Sequence, residues 1–296
     1  MSAPVPLQVC LTFDFDAMSV WAQTAGQTTP TPLSRGEFGA RVAMPRILRV
    51  LERERVPATF FTPGHTIDTY PALCASILDG GHEIGHHGYF HESPVGLDER
   101  EERAVLDNGL AAMERNLEGY RPQGYRSPAW DLSERSTALL HEYGFLYDSS
   151  MMAQDFEPYW ARTGDECPTD RAYVFGAELE LVELPVSWSL DDFPQLELVV
   201  APPVIFPAAN NPTSLLERWL EDLEFAADEV PGGVFNITFH PQTIGRGARL
   251  RILESVIARA KDLKAKFVTC GEAAGAWAAN RGRSRSSSSE SERTAV

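Results

Sequence analysis

The chain has 296 residues, 43% hydrophobic and 23% charged, the composition of a globular protein long enough for one sizeable α/β domain. Acidic side chains outnumber basic ones by 42 to 26, and the resulting charge of −16 excludes nucleic acid and anionic membrane surfaces as natural partners. No run approaches the ~20 apolar residues of a membrane span, and the first residues lack a basic region followed by a long apolar one, so the expected setting is cytoplasmic.

In chain order, hydrophobic periodicity predicts a strand over 7–13, a helix over 42–53, a strand over 58–62 and a helix over 70–79. A strand over 83–86, a helix over 98–117, a strand over 124–126 and a helix over 133–143 follow. Strands over 145–148 and 181–188, a helix over 214–229, a strand over 234–239, a helix over 248–263, a strand over 266–269 and a helix over 272–279 complete the pattern. Such alternation implies parallel strands covered by helices, in a closed barrel or a doubly wound sheet. Three long polar segments, 17–40, 150–176 and 189–212, follow predicted strands and read as loops. Every chemically notable side chain also lies just after a strand, as at the catalytic rim of a βα barrel. No GxGxxG or Walker pattern marks a switch point, which favours the barrel. From 281 onward the serine- and arginine-rich composition cannot bury an apolar face. The expectation is a domain over 1–280 and a disordered tail over 281–296.

Four of the seven histidines, His82, His86, His87 and His91, fall within ten residues. Imidazole is the commonest metal-binding side chain near neutral pH. His87 and His91 are four apart and can converge on a helix face or in a tight loop. His86 is the rival ligand, its ring pointing away from that of His87, while His82 and His141 read as surface or helix residues. Near the N-terminus, Asp14 and Asp16 end an apolar strand. Residues two apart in a strand point the same way, so both carboxylates can enter one cavity. Two adjacent carboxylates stay ionised most readily beside a cation. Two histidines and one carboxylate leave open coordination positions, as a hydrolytic metal centre requires. Cys10, Cys74, Cys167 and Cys270 show no CxxC spacing, which argues against a zinc ribbon or redox dithiol and for reduced thiols.

The segments Thr12-Phe13-Asp14-Phe15-Asp16, His87-Gly88-Tyr89-Phe90-His91, Tyr125-Arg126-Ser127-Pro128 and Thr238-Phe239-His240-Pro241 together resemble the successive motifs of the polysaccharide deacetylases (NodB-homology, carbohydrate esterase family 4). Phe60-Phe61 and the lead-in Gly80-Gly81-His82-Glu83-Ile84-Gly85 are similar too, and the match runs in order from about Val9 to Ala279. The resemblance implies a distorted (β/α)7 barrel and one divalent metal ion per chain, zinc first, with cobalt, manganese or iron as alternatives held by similar ligands. It implies that Asp16, His87 and His91 hold the metal and that Asp14 is the general base. It further implies that Arg126 orients that base and that His240 is the general acid. The backbone N–H of Ala129 is the expected oxyanion donor, and Asp191 or Asp192 the partner of His240.

The departures bear on substrate. Phe15 separates aspartates that the family usually sets side by side, Ala17 replaces a glycine, and Pro128-Ala129-Trp130 replaces Pro-Tyr-Gly. The segment from Glu183 to Pro194 resembles the branch containing cytoplasmic-type peptidoglycan deacetylases, cyclic imidases and ureide-ring hydrolases. Trp130, Trp160, Trp188 and Tyr89 are candidates to wall a pocket. The expected substrate is an N-acetylated sugar or glycan, or a small cyclic amide or imide, and the long rim loops leave room for a homo-oligomer. The competing reading is a non-catalytic barrel that binds carbohydrate or a small molecule.

Overall fold

Strand β1, Gln8–Asp14, sets the architecture through its alternation. Val9, Leu11, Phe13 and, just past the strand, Phe15 join the largest apolar cluster beneath the outer helices. Cys10, Thr12, Asp14 and Asp16, on the opposite face, point into the barrel. The computed structural model describes residues 5–201, 204–207 and 210–293, with side chains outside 198–209 and 282–293.

The strands that follow are β2 (Thr59–Thr62), β3 (Glu83–His86), β4 (Gly124–Tyr125), β5 (Tyr147–Asp148), β6 (Tyr159–Thr163) and β7 (Ala177–Glu183). After these come β8 (Leu198–Ala201), β9 (Val204–Pro207), β10 (Val234–Phe239) and β11 (Lys266–Phe267). The main sheet runs β10-β1-β2-β3-β4-β5-β7-β6, with β11 also paired to β1, and every pairing is parallel except β6 with β7. Strands β8 and β9 form a separate antiparallel hairpin. The sheet curls into a NodB-type βα barrel. On its open side, Asp191 bridges to Thr238, and Asn236 Nδ2 reaches the carbonyl oxygens of Leu184 and Pro185 at 3.4 and 3.1 Å. The wall is thus closed there by a side chain and a single bridge.

The helices are α1 (Pro30–Phe38), α2 (Met44–Glu54), α3 (Gly64–Thr69), α4 (Pro71–Asp79), α5 (Glu99–Asn116) and α6 (Ser136–Glu142). They continue with α7 (Asp192–Leu196), α8 (Pro212–Glu229), α9 (Pro241–Ile244), α10 (Leu250–Asp262) and α11 (Cys270–Arg293). Helix α5 begins with a full capping box, Asp98 accepting from the Glu101 N–H and Glu101 from the Asp98 N–H. Beneath the helices Phe13 stacks on Phe60 at 4.9 Å and meets Phe239 at 5.4 Å. Truncating one of these buried rings to alanine costs about 3–5 kcal/mol.

Two expectations need correction. The polar segments read as loops contain α1, β6, α7 and the β8–β9 hairpin. The strand expected over 181–188 covers Ala177–Glu183 instead, and Pro185 just beyond it has no N–H with which to extend the ladder. Helix α11 runs on to Arg293, into the segment over 281–296 expected to be a disordered tail, and 294–296 lie outside the described residues. Extending an existing helix needs no new nucleus, which is why a run without an apolar face can follow a packed one.

Candidate active site

The barrel interior is polar because the inward positions of its strands carry hydroxyls, carboxylates and one guanidinium, all at the carboxyl ends or along the axis. On β1 and β10 these are Thr12, Asp14, Asn236 and Thr238, each buried. Just past their strands stand Asp16, His87, Arg126 and His240, also buried. The same alternation separates the two adjacent histidines. His86, at the end of β3, turns outward, with Nε2 3.1 Å from the Leu106 carbonyl and Nδ1 accepting the Gly88 N–H. Both its nitrogens are used, and α5 comes this close because a Cβ on Gly109 would stand 2.2 Å from His86 Nε2. The rival ligand is excluded by geometry.

His87 turns inward and meets Asp16 Oδ1 at 3.5 Å through Nε2; His91 Nε2 approaches the same oxygen at 3.6 Å. The His87 Nδ1–H donates to the Arg126 carbonyl at 2.7 Å, which fixes the tautomer and leaves the Nε2 lone pair facing Asp16. His91 Nδ1 is held by Thr24 Oγ1 at 2.6 Å, from a π turn over Val20–Thr24. Both oxygens of Asp16 and Nε2 of His87 are buried without a hydrogen-bond partner. Buried polar atoms are normally satisfied. An unpaired carboxylate, an unpaired imidazole nitrogen and the Nε2 of His91 converging on it therefore fit a divalent cation, and Asp16, His87 and His91 form one of two such clusters among the described residues.

Asp14 lies beside this cluster. Arg126 Nη1 donates to Asp14 Oδ1 at 2.8 Å and to Thr12 Oγ1 at 3.0 Å, and its other nitrogens donate to Ser149 O and Oγ, both at 3.0 Å. The guanidinium also stacks over Phe61, 4.1 Å from the ring centre. Burial alone raises the Asp14 pKa, but the charges of Arg126, His87 and His240 and the Arg126 hydrogen bond outweigh it and hold the carboxyl below its usual range. Trp130 Nε1 lies 3.4 Å from Asp14 Oδ2.

His240 faces both acids, with Nε2 3.9 Å from Asp14 Oδ2 and from Asp16 Oδ2. Its Nδ1 is 3.0 Å from Asp192 Oδ1 and 3.3 Å from Asp191 Oδ1. Asp192 also accepts the His240 backbone N–H, whereas Asp191 caps α7 by accepting the Phe193 N–H, so Asp192 is the main orienting partner. Burial pushes the His240 pKa down, but the two carboxylates push it well above the usual histidine range.

Four of the seven non-glycine residues with left-handed backbone among those described, Ala17, His91, Ala129 and Trp130, surround this centre. Each costs on the order of 1 kcal/mol and is held by its surroundings. A cavity of about 380 Å³ opens over the acids, lined by Asp14, His91, Ala129, Trp130, Trp188, Phe193 and His240 among others. Trp130 and Trp188 stack at 4.5 Å on its wall. Two of the expected aromatic walls belong elsewhere. Trp160 packs on Trp277 of α11, and Tyr89 donates to Asp68. Thr24 and Ser149, which hold His91 and Arg126, carried no sequence signal, because hydroxyls at loop positions are too common to single out.

The profile of the polysaccharide deacetylase family matches residues 8–147. A peptidoglycan deacetylase of Helicobacter pylori is 34% identical over 255 residues, covering 82% of this chain and 86% of that protein. A solved structure from Mycobacterium smegmatis, assigned to the polysaccharide deacetylases, is 35% identical with a TM-score of 0.80, over 95% of this chain and 93% of its own. PuuE allantoinase shares the fold at 21% identity and a TM-score of 0.75, over 93% and 91% of the two chains. With its motifs in order along the curled barrel, this chain belongs to the polysaccharide deacetylase family of metal-dependent hydrolases that cleave carbon–nitrogen bonds other than peptide bonds.

Proposed function

We propose that this chain removes the acetyl group from an N-acetylated amino sugar within a glycan or glycan fragment, with Asp16, His87 and His91 holding one zinc ion. The observation that carries the reading is the convergence of His87 and His91 on the unpartnered carboxylate of Asp16, beside a second carboxylate pinned by Arg126. A bound cation there supplies a water acidic enough to lose its proton near pH 7 and an electrophilic contact for the substrate carbonyl. Asp14, kept ionised by Arg126, accepts the proton of the attacking water. The Ala129 N–H donates to the oxygen that becomes negative, an interaction worth about 3 kcal/mol. His240, held by Asp192 and Asp191 in its charged form, donates a proton to the departing nitrogen, without which an amine leaves poorly.

The glycan substrate is supported by the peptidoglycan deacetylase relative, which aligns over most of its own length. A second reading, ring opening of a small cyclic amide or imide, is favoured by the aromatic cavity of about 380 Å³, a size that suits a single ring. Four free cysteines, three of them buried, suit a reducing compartment, and we place the protein in the cytoplasm on that basis. The test incubates the zinc-loaded chain with N-acetylglucosamine oligomers and, separately, with succinimide and hydantoin. Acetate release is expected. Ring opening without acetate replaces the first reading by the second, and turnover of neither by a fully loaded protein leaves the non-catalytic binding barrel.

A further inference from the structure

One pair of buried acids lies outside the chemistry described. Asp148, ending β5, and Glu183, ending β7, are paired in register across the sheet and both are fully buried. Asp148 Oδ2 and Glu183 Oε2 have no hydrogen-bond partner, while the two carboxyls interact with each other. Two buried carboxyls on register-paired residues, each with one oxygen unpartnered in a dry interior, are best accommodated by a proton held between them.

The other two oxygens hold the backbone. Glu183 Oε1 accepts the N–H groups of Ser150 and Met151, each at 2.9 Å. Ser150 Oγ donates to Asp148 Oδ1 at 2.7 Å and accepts the Ser127 N–H at 2.8 Å. Ser127 in turn accepts the Trp130 N–H at its carbonyl, closing the turn that carries Ala129 at φ 57° and Trp130 at φ 54°. The neighbouring Ser149 is the residue that Arg126 grips twice. A single turn, 149–151, therefore supports both the arginine and the strained segment at the cavity rim, and the acid pair is its foundation.

The geometry points to Asp148 and Glu183 as positioning residues for the reaction, a carboxyl pair that locks the Ser150–Ser127 link and with it the Ala129 turn. The inference rests on the reading of Ala129 as the oxyanion donor. Burial is the first cause that lifts both acids, Asp148 to about 6 and Glu183 well above its ordinary range. The ionisable groups whose charges act on the pair are Tyr125 at the end of β4, Arg126 just past it and Tyr159 from β6. Because the acids' pKa values are raised in the fold, the lock is intact at low pH. It is lost as pH rises through them, when two like charges meet and the shared proton is gone.

The test follows the amide resonances of Ser127 and Ala129 against pH in the ¹⁵N-labelled full chain, metal-loaded. In the wild type both resonances shift as the pair loses its proton. In Glu183→Gln, which keeps an acceptor for Ser150 and Met151 and a donor towards Asp148, the like charge is gone and the transition disappears or moves down by about one pH unit or more. Asp148→Asn behaves alike and serves should the first variant not fold. Ser150→Ala breaks the link alone, so Asp148 and Glu183 still titrate while the Ala129 resonance no longer responds. In acetate release from N-acetylglucosamine oligomers, the alkaline limb of kcat moves with the resonance while KM stays. Identical titrations in wild type and both acid variants overturn the inference, as does a moved resonance with an unmoved kcat limb. Absence of acetate from the wild type counts against the proposed function alone, since the resonances report the turn without turnover.

Discussion

His86 and His87 differ in role only because β3 alternates, and a strand of four residues is enough to send one imidazole to α5 and the other to Asp16. The placement of Asp14, Asp16, Arg126 and His240 at or just past strand ends was legible in the same way from the order of the residues, whereas His91 lies in the loop after β3 and was singled out by its spacing of four from His87. The choice between Asp191 and Asp192 was not legible. It depends on which carboxylate the His240 backbone N–H meets, and the two differ by one position. Replacing His87 or His91 by alanine removes one of three ligands and should lower bound metal well below one equivalent per chain by elemental analysis; full stoichiometry in both variants removes the ligand assignment. The pH profile tests Asp14. Its pKa is depressed, so the base form persists below the ordinary carboxylate range and the acid limb of kcat/KM should lie there. In Arg126→Gln, burial is no longer offset by the guanidinium and the limb should move upward, by roughly one unit or more.

Among the elements, β10 falls where the apolar run predicts it, since a strand buried on both faces leaves a near-continuous signal, and β3 keeps its predicted bounds although Ile84 is its one large apolar residue. Strand β6 was missed because it lies at the sheet's end, with only Ala161 of its five residues fully buried and no periodic apolar pattern to read. Helix α1 was missed for a related reason. Its sequence begins Pro-Thr-Pro and carries Gly36, a poor helix former that is needed because a Cβ there would come within 2.3 Å of the Ala17 carbonyl oxygen. The last helix poses the converse case. Its packed start, Cys270 to Ala274, holds the barrel floor through the Gly271 N–H to Glu83 and the Cys270 N–H to Thr59, whereas the part beyond 280 has no apolar stripe in sequence. Ending the chain after Asn280 should therefore leave the melting temperature within about 1 °C of the full chain. A fall of several degrees would show that the serine-rich segment is part of the folded unit.

At the scale of the molecule, the barrel contains a continuous polar network that joins the catalytic acids to the wall. Asn236 ties Ser149 to the seam, Ser149 ties Arg126, and Arg126 ties Asp14. A cation held as proposed by Asp16, His87 and His91 would sit beside this network, and its removal would leave converging groups of unbalanced charge in a dry interior. Chelation should lower the melting temperature and zinc should restore it, with a stabilisation of about 4 kcal/mol when free metal exceeds its dissociation constant a thousandfold. An unchanged melting temperature in a protein shown to have lost its metal would mean that the three ligands are not strained by its absence.

The paired indoles at the cavity mouth have an optical consequence. Trp130 and Trp188 lie 4.5 Å apart with planes inclined by 25°. At such separation their electronic transitions mix, splitting one ultraviolet band into two of opposite circular dichroism. A compound sliding between or against the rings would weaken that couplet, so the protein carries its own spectroscopic gauge of occupancy, readable on any candidate compound whether or not it is turned over.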